Sequence, residues 1–170
     1  TINKQTSLPD SYQEAYEYLL NKITQGSILF IKEQAVQFLP LIQYMESKNI
    51  SLAGFLAHFN ILFLLRHPLK TIPSSFAPHV KAKAQATFSD SSVGYIDLLT
   101  LFKKIADATQ NKPLIIESEA YLKSPVEVLA PYFKSFDYPF DKSMLSWRAL
   151  SDEAIAANPY YALWGDAWYD

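Results

Sequence analysis

Charged side chains follow each strand that the apolar pattern of this sequence predicts. Three short apolar runs are typical of buried strands, and ionisable residues come directly after them: Lys32-Glu33, Arg66-His67, and Glu117 with Glu119. In an open parallel sheet, ligands bind outside the carboxyl ends of the strands. We therefore expect a functional site where these residues converge. The residues leave open the alternative that strand ends carry charge simply because they reach solvent.

Arg66 and Ser74 have the clearest chemistry, in the stretch LLRHPLKTIPSSF. A guanidinium is a planar fork of donors that suits a phosphate or a carboxylate. A serine hydroxyl early in the following helix adds a donor, and the helix N-terminus adds its dipole and N–H groups. Together these groups predict an anion site. In the alternative, Arg66 pairs with an acidic neighbour and Ser74 caps the helix or faces water.

The histidines and glycines limit the other chemistries. His67 is either a general base at a strand end or a residue that shapes the turn before Pro68. His58 and His79 do not have metal-ligand spacing, and we predict no metal site. The four glycines are scattered, so the sequence as given contains no glycine-rich loop that could cradle a phosphate.

The composition favours a single globular domain over residues 1–170. Of the 170 residues 49% are hydrophobic, and the formal net charge is −2, which does not favour a nucleic-acid partner. The absence of cysteine excludes a disulfide framework and fits a reducing compartment, so we predict a cytoplasmic protein. The longest apolar stretch, residues 50–65, is shorter than the roughly 20 residues of a membrane span, and we predict none.

Helical and strand patterns alternate along the chain. Ser11 and Glu14 form a capping box, and Ser124-Pro125 predicts another helix start. A further helix is predicted, and its apolar face is formed by Tyr95, Leu98, Leu99, Phe102, Ile105 and Ala106. The predicted strands are Ser27–Ile31, Asn60–Leu65 and Leu114–Ile116. This alternation predicts βαβ units and a parallel sheet covered on both faces. We expect the aromatic-rich residues 137–170 to pack as a lid or wrap.

Four segments together resemble the sulfotransferases and sulfotransferase-like P-loop proteins. NILFLLRHPLKTIPSSF resembles the strand–Arg-x-Pro–helix–Ser segment of that family, and SILFIKE resembles the strand before it. PLIIESEAYLKSPVEVLAPYFKSFDYPFDKSMLSW resembles a later strand, a Pro-capped helix and a short segment of the bacterial-type members. NPYYALWGDAWYD resembles their aromatic C-terminal stretch. The Arg66 to Ser74 spacing and PFDKSMLSW are the most specific parts.

The resemblance implies a three-layer, P-loop NTPase-like α/β fold with a parallel sheet. It also implies transfer of a sulfuryl group from 3′-phosphoadenosine 5′-phosphosulfate to a hydroxyl or amine of a small-molecule or protein acceptor, without a metal. By motif position, Arg66 and Ser74 would bind the 3′-phosphate of this co-substrate. Lys32 matches the lysine that ends the earlier strand and would be catalytic. The histidine base of many members is replaced by Gln34, so Glu33 would act as the base if burial made it basic enough.

One element of the family pattern would precede Thr1. It is the first strand with its loop of Pro-[Lys/Arg]-Ser-Gly-[Ser/Thr] type, which binds the 5′-phosphosulfate. We expect that a second chain supplies it, that the chain is a truncated or processed piece, or that the domain is degenerate and non-catalytic. Catalysis therefore depends on this loop being supplied. The alternative functions are a non-catalytic protein-interaction module on this scaffold and a nucleotide kinase-like P-loop protein.

Overall fold

The computed structural model of the protein describes residues 11–26, 29–81, 93–146 and 153. Its helices are α1 (Tyr12–Thr24), α2 (Ala35–Ser47), α3 (Leu52–Leu56), α4 (Pro68–Lys81), α5 (Tyr95–Thr109), α6 (Ser118–Lys123) and α7 (Pro125–Ser135), and a 3₁₀ turn spans Lys142–Leu145. The strands are β1 (Leu62–Leu65) and β2 (Leu114–Glu117), which pair in parallel. The predicted mixed α/β class is therefore confirmed.

The chain divides into two compact units. The helical unit contains the described residues up to Ile61 and those from Gly94 to Pro113, and so holds α1, α2, α3 and α5. The sheet unit contains those from Leu62 to Val93 and from Leu114 onward, and so holds both strands with α4, α6 and α7. None of the helices in the described ranges is long and apolar enough to cross a membrane.

The helical unit is built on capped helices and a buried apolar core. Ser11 Oγ accepts a hydrogen bond from the Glu14 N–H at 3.2 Å, which confirms the predicted start of α1. The ring of Phe55 lies 5.5 Å from that of Tyr16 and 4.9 Å from that of Phe59. The buried apolar side chains of this unit are Ala35, Leu41, Ile42, Met45, Phe55, Leu56, Leu101 and Ile105.

The buried face of α5 differs from the predicted one. Ile105 is buried as expected, but Leu101 is also buried, whereas Leu99 is 54% exposed. This helix is apolar around much of its circumference, so the position of its neighbours, and not the apolar pattern, selects the buried stripe. In α2, Pro40 lies within the helix, which continues to Ser47.

The sheet unit contains two of the three predicted strands. Leu62 pairs with Leu114 and Leu65 with Glu117, so β1 and β2 run side by side in register. Tyr132 on α7 donates its hydroxyl to the Ile115 carbonyl at 2.6 Å, which ties that helix to β2. α4 runs through Pro73 as one helix.

The predicted first strand is wrong within the described residues. Residues 29–34 form neither helix nor strand, and Phe30 is 90% exposed, while Ser27 and Ile28 lie outside the described ranges. An apolar run becomes a strand only when a neighbouring backbone satisfies its N–H and C=O groups. The sheet of the described residues has two strands and leaves Leu64 and Ile115 about half exposed, so the prediction of a sheet covered on both faces is not met there.

α7 begins where the sequence predicts, with Pro125 at the start of its first turn. The predicted hydroxyl cap is not formed, because the side chain of Ser124 makes no capping hydrogen bond. The ψ angle of Ser124 is 67°, outside the extended range usual for an N-cap residue. The aromatic C-terminal stretch, residues 158–170, lies outside the described part of the chain.

Candidate anion-binding site

The structure brings two of the three charged strand ends together. β1 and β2 are parallel and end at the paired residues Leu65 and Glu117, so Arg66 and Glu117 leave the sheet at the same edge. α4 begins after the two residues that follow β1, and α6 begins directly after β2. The side chains at this edge therefore come from two strand ends and the first turns of two helices, all within the sheet unit.

Arg66 and Ser74 are in contact at this edge. Arg66 Nη1 donates to Ser74 Oγ at 3.3 Å, across eight positions of the chain. Ser74 lies two turns into α4 and is half-buried, whereas Arg66 is exposed to solvent. The pair combines a full positive charge with a hydroxyl donor on one accessible surface, which is a combination that suits a phosphate or carboxylate.

His67 caps α4. Its Nδ1 accepts a hydrogen bond from the Leu69 N–H at 3.2 Å, which fastens the ring to the first turn of the helix. The His67 carbonyl accepts from the N–H groups of Lys70 and Thr71 at 2.9 and 3.0 Å. Of the two readings of His67, the geometry supports the one in which it shapes the turn before Pro68.

The capping by His67 corrects one part of the predicted anion site. Pro68 has no N–H, and the next three N–H groups of α4 already donate to His67. The start of this helix therefore has no spare backbone donors to offer. An anion at this edge would depend on side-chain donors and on the helix dipole.

An ion pair joins α4 to α6 beside this site. Lys70 Nζ lies 3.5 Å from Glu119 Oε1, and the two side chains are 58% and 24% exposed. Glu119 Oε2 accepts from Ser118 Oγ at 3.3 Å, and Ser118 is buried. Glu119 Oε1 is itself buried and has no hydrogen-bond partner among the described residues. Among the described residues, the polar contact of this oxygen is therefore its loose ion pair with Lys70.

The surroundings of Glu119 favour its charged form. Burial raises the pKa of this carboxyl, but the N–H groups of Glu119 itself and of His67 lower it, as do the Lys70 ammonium and the Ser118 hydroxyl. The pKa of Glu119 therefore lies below its ordinary value.

Sequence reasoning missed Lys70, although its spacing of four residues from both Arg66 and Ser74 is a helical-face signal.

Lys32 and Glu33, the predicted catalytic pair, belong to the helical unit. Both are exposed, and they precede α2 in a stretch without regular structure. The Glu33 carboxylate accepts from the Gln34 N–H at 2.8 Å. The burial that its role as a base would require is therefore not present in the structure.

Two further features concern the part of the chain that the structure describes. No group of three or more His, Cys, Asp or Glu side chains there could hold a metal ion. A surface hollow at the end of α7 is lined by Ala130, Lys134, Asp137, Tyr138, Pro139 and Phe140. None of the predicted site residues lines this hollow.

The comparisons with known proteins identify no relative. No family model matches the chain, no curated protein matches its sequence, and no solved structure matches its fold.

Proposed function

We propose that this chain is a sulfotransferase-like protein that binds the 3′-phosphate of 3′-phosphoadenosine 5′-phosphosulfate through Arg66 and Ser74. The observation that carries the proposal is the 3.3 Å contact between Arg66 Nη1 and Ser74 Oγ. The contact lies at the carboxyl ends of two parallel strands, where open α/β sheets bind ligands. In the proposed complete fold, β1 and β2 are part of a larger sheet in a three-layer, P-loop NTPase-like arrangement.

The co-substrate would supply an activated sulfuryl group for transfer to a hydroxyl or amine. Catalysis would rest on positioning and charge stabilisation, by analogy with phosphoryl transfer. Arg66 and Ser74 would anchor the nucleotide away from the reacting sulfur. Lys32 would stabilise negative charge that develops during transfer. Glu33, which is exposed in this structure, would accept the proton of the acceptor only once the bound acceptor and the supplied loop buried it. This activity requires a loop that binds the 5′-phosphosulfate, supplied by further sequence or by a second chain.

A non-catalytic protein-interaction module is the second candidate. The observation that favours it is the exposure of apolar strand residues, including Leu64 at 54% and Ile115 at 46%. Exposed apolar surface of this kind marks interaction sites. In this reading, the hydrogen bond from Arg66 to Ser74 only fastens the end of β1 to α4.

Isothermal titration calorimetry with adenosine 3′,5′-bisphosphate tests the first proposal on the full chain. We expect saturable binding, and we expect Arg66→Ala to weaken it by about tenfold or more, because a hydrogen bond to a charged group contributes roughly 1.5–3 kcal/mol. Lys103→Ala, which removes an exposed cation of α5 in the helical unit, is the control and should leave the affinity unchanged.

Two results would contradict this proposal: no binding by the unmodified chain, or equal binding by Arg66→Ala. Binding without detectable sulfuryl transfer, when the loop is supplied, would favour the interaction module. Mg²⁺-dependent turnover of ATP would instead support a nucleotide kinase-like protein.

A further inference from the structure

Three polar side chains recur at every fourth position where β1 passes into α4. Arg66 leaves the strand, Lys70 lies in the first turn of the helix, and Ser74 lies one turn further. Residues four apart on a helix are neighbours on one face, so Lys70 and Ser74 share a face of α4. Arg66 reaches the same face, because Nη1 donates to Ser74 Oγ.

The backbone of α4 adds little to this surface. Its early N–H groups donate to the ring and carbonyl of His67. The positive charge that an anion would meet therefore comes chiefly from side chains. Lys70 doubles the charge that Arg66 provides, and its own side chain is 58% exposed, so it can reach a ligand in solvent.

Glu119 holds Lys70 only loosely. The two charged atoms are 3.5 Å apart, and the Lys70 side chain is 58% exposed although that of Glu119 is only 24% exposed; an ion pair with one partner largely in water is weak. If Lys70 moved, Glu119 Oε1 would lose its ion pair, but the rest of the carboxylate would keep its partners. The Ser118 hydroxyl still donates to Oε2, and the N–H groups of Glu119 and His67 still favour the carboxylate.

We propose that Lys70 is a third ligand for the phosphate bound by Arg66 and Ser74, and that Glu119 is an internal counter-ion from which the phosphate takes Lys70. This inference rests on the proposed function. When no ligand is bound, the Glu119 carboxylate pairs with the Lys70 ammonium, and the phosphate must compete with that carboxylate for Lys70. Glu119 therefore acts on affinity through Lys70 and is a positioning residue, whereas Lys70 touches the ligand.

A double-mutant cycle measured with adenosine 3′,5′-bisphosphate tests this inference. Lys70→Gln should weaken binding by about tenfold, because a charge-assisted hydrogen bond is lost. Lys70→Arg should restore most of the affinity. Glu119→Gln should strengthen binding by about two- to fivefold, since the competing ion pair is weak. In Lys70→Gln/Glu119→Gln this gain should disappear.

The gain in affinity in Glu119→Gln, and its disappearance in the double variant, distinguish competition for Lys70 from a merely structural role of Glu119. If Glu119 only supported the fold, Glu119→Gln would weaken binding or leave it unchanged. Glu117→Gln removes a carboxylate at the same sheet edge and should give a smaller gain than Glu119→Gln. Lys123→Gln removes an exposed lysine of α6 and should have no effect. Circular dichroism of each variant checks that it folds.

The outcomes also separate this inference from the proposed function. If Arg66→Ala abolishes binding but Lys70→Gln does not weaken it, the nucleotide site stands and the inference is wrong. A gain in Glu119→Gln that persists without Lys70, or that Glu117→Gln reproduces, also overturns it. If neither the unmodified chain nor Glu119→Gln binds the nucleotide, the proposed function and the inference both fail.

Discussion

The two units of this protein differ in how well they bury their apolar side chains. Among the described residues, eight buried apolar side chains lie in the helical unit, but only Phe63 and Ile116 lie in the sheet unit. The candidate site lies entirely in the sheet unit. The side chains with the clearest chemistry are therefore held by hydrogen bonds and by the Lys70–Glu119 ion pair more than by a core.

The same contrast appears in the helix caps. In the helical unit the hydroxyls of Ser11 and Ser51 accept from the backbone N–H groups of Glu14 and Gly54. In the sheet unit α4 is capped by the His67 ring, and the hydroxyl of Ser124 makes no cap bond at the start of α7. Serine at a helix start therefore stabilises one unit more than the other.

The core of the helical unit should show the largest effect. Ile42 is fully buried, and Ile42→Ala should lower the free energy of unfolding by about 2–5 kcal/mol, because a cavity remains. Val36→Ala, at an exposed position of the same helix, should change it by less than about 0.5 kcal/mol. Urea denaturation measures both. Equal effects would show that α2 does not bury the face described above.

Two neighbouring isoleucines test the smaller core of the sheet unit. Ile116 is 3% exposed and Ile115 is 46% exposed. Ile116→Ala should cost about 2–3 kcal/mol, at the low end for such substitutions, because a site with open surroundings can collapse around the lost side chain. Ile115→Ala should cost less than about 1 kcal/mol. A larger cost for Ile115→Ala in chemical denaturation would contradict the register of β2.

The two serine caps give a direct test of the contrast between the units. Ser51→Ala should lower the free energy of unfolding by about 1 kcal/mol, because the Gly54 N–H loses its acceptor. Ser124→Ala should cost only a few tenths of a kcal/mol, since no cap bond is lost. Thermal unfolding of the two variants side by side checks this. A similar loss of unfolding free energy in both variants would show that serine capping does not differ between the two units.

The tie between α7 and β2 should have a moderate effect. Tyr132→Phe removes the hydroxyl that donates to the Ile115 carbonyl, and this should cost about 0.5–1.5 kcal/mol. Hydrogen exchange of the β2 amides should accelerate. Tyr121→Phe, on α6 with no recorded hydroxyl bond to the sheet, serves as the control. Unchanged exchange in Tyr132→Phe would show that the bond does not hold α7 on the strand.

The smallest predicted effect is a pH dependence in the sheet unit. Asp141 caps the 3₁₀ turn, and hydrogen bonds from the Ser143 backbone N–H and side chain lower its pKa. Because the folded pKa is below the unfolded value, this stabilisation is present above about pH 4. It is lost as the pH falls through the folded pKa. An NMR titration of the Asp141 carboxyl should give a midpoint below that of an unfolded peptide, and Asp141→Asn should remove the associated pH dependence.

The sequence predicted the local elements more successfully than the sheet. Apolar runs and turn signals located β1 and β2, and the capping box located α1. The same reasoning failed for residues 29–31, because strand formation depends on a partner backbone that periodicity does not reveal. It also misjudged α5, where an apolar surface on most sides leaves the buried stripe to the packing.

The candidate site shows the same contrast between local features, which the sequence predicts, and tertiary contacts, which it does not. The residue types and spacing of Arg66 and Ser74 led to the prediction of an anion site, and the structure shows that the two side chains are in contact, because a strand followed by a helix brings such positions close. The capping role of His67 and the pairing of Lys70 with Glu119 depend on side-chain rotamers and on how β2 lies beside β1. The sequence by itself thus determined which chemical groups are present and which local elements carry them. Only the tertiary structure decided which donors are already used and which charges face each other, because those contacts join segments far apart in the chain.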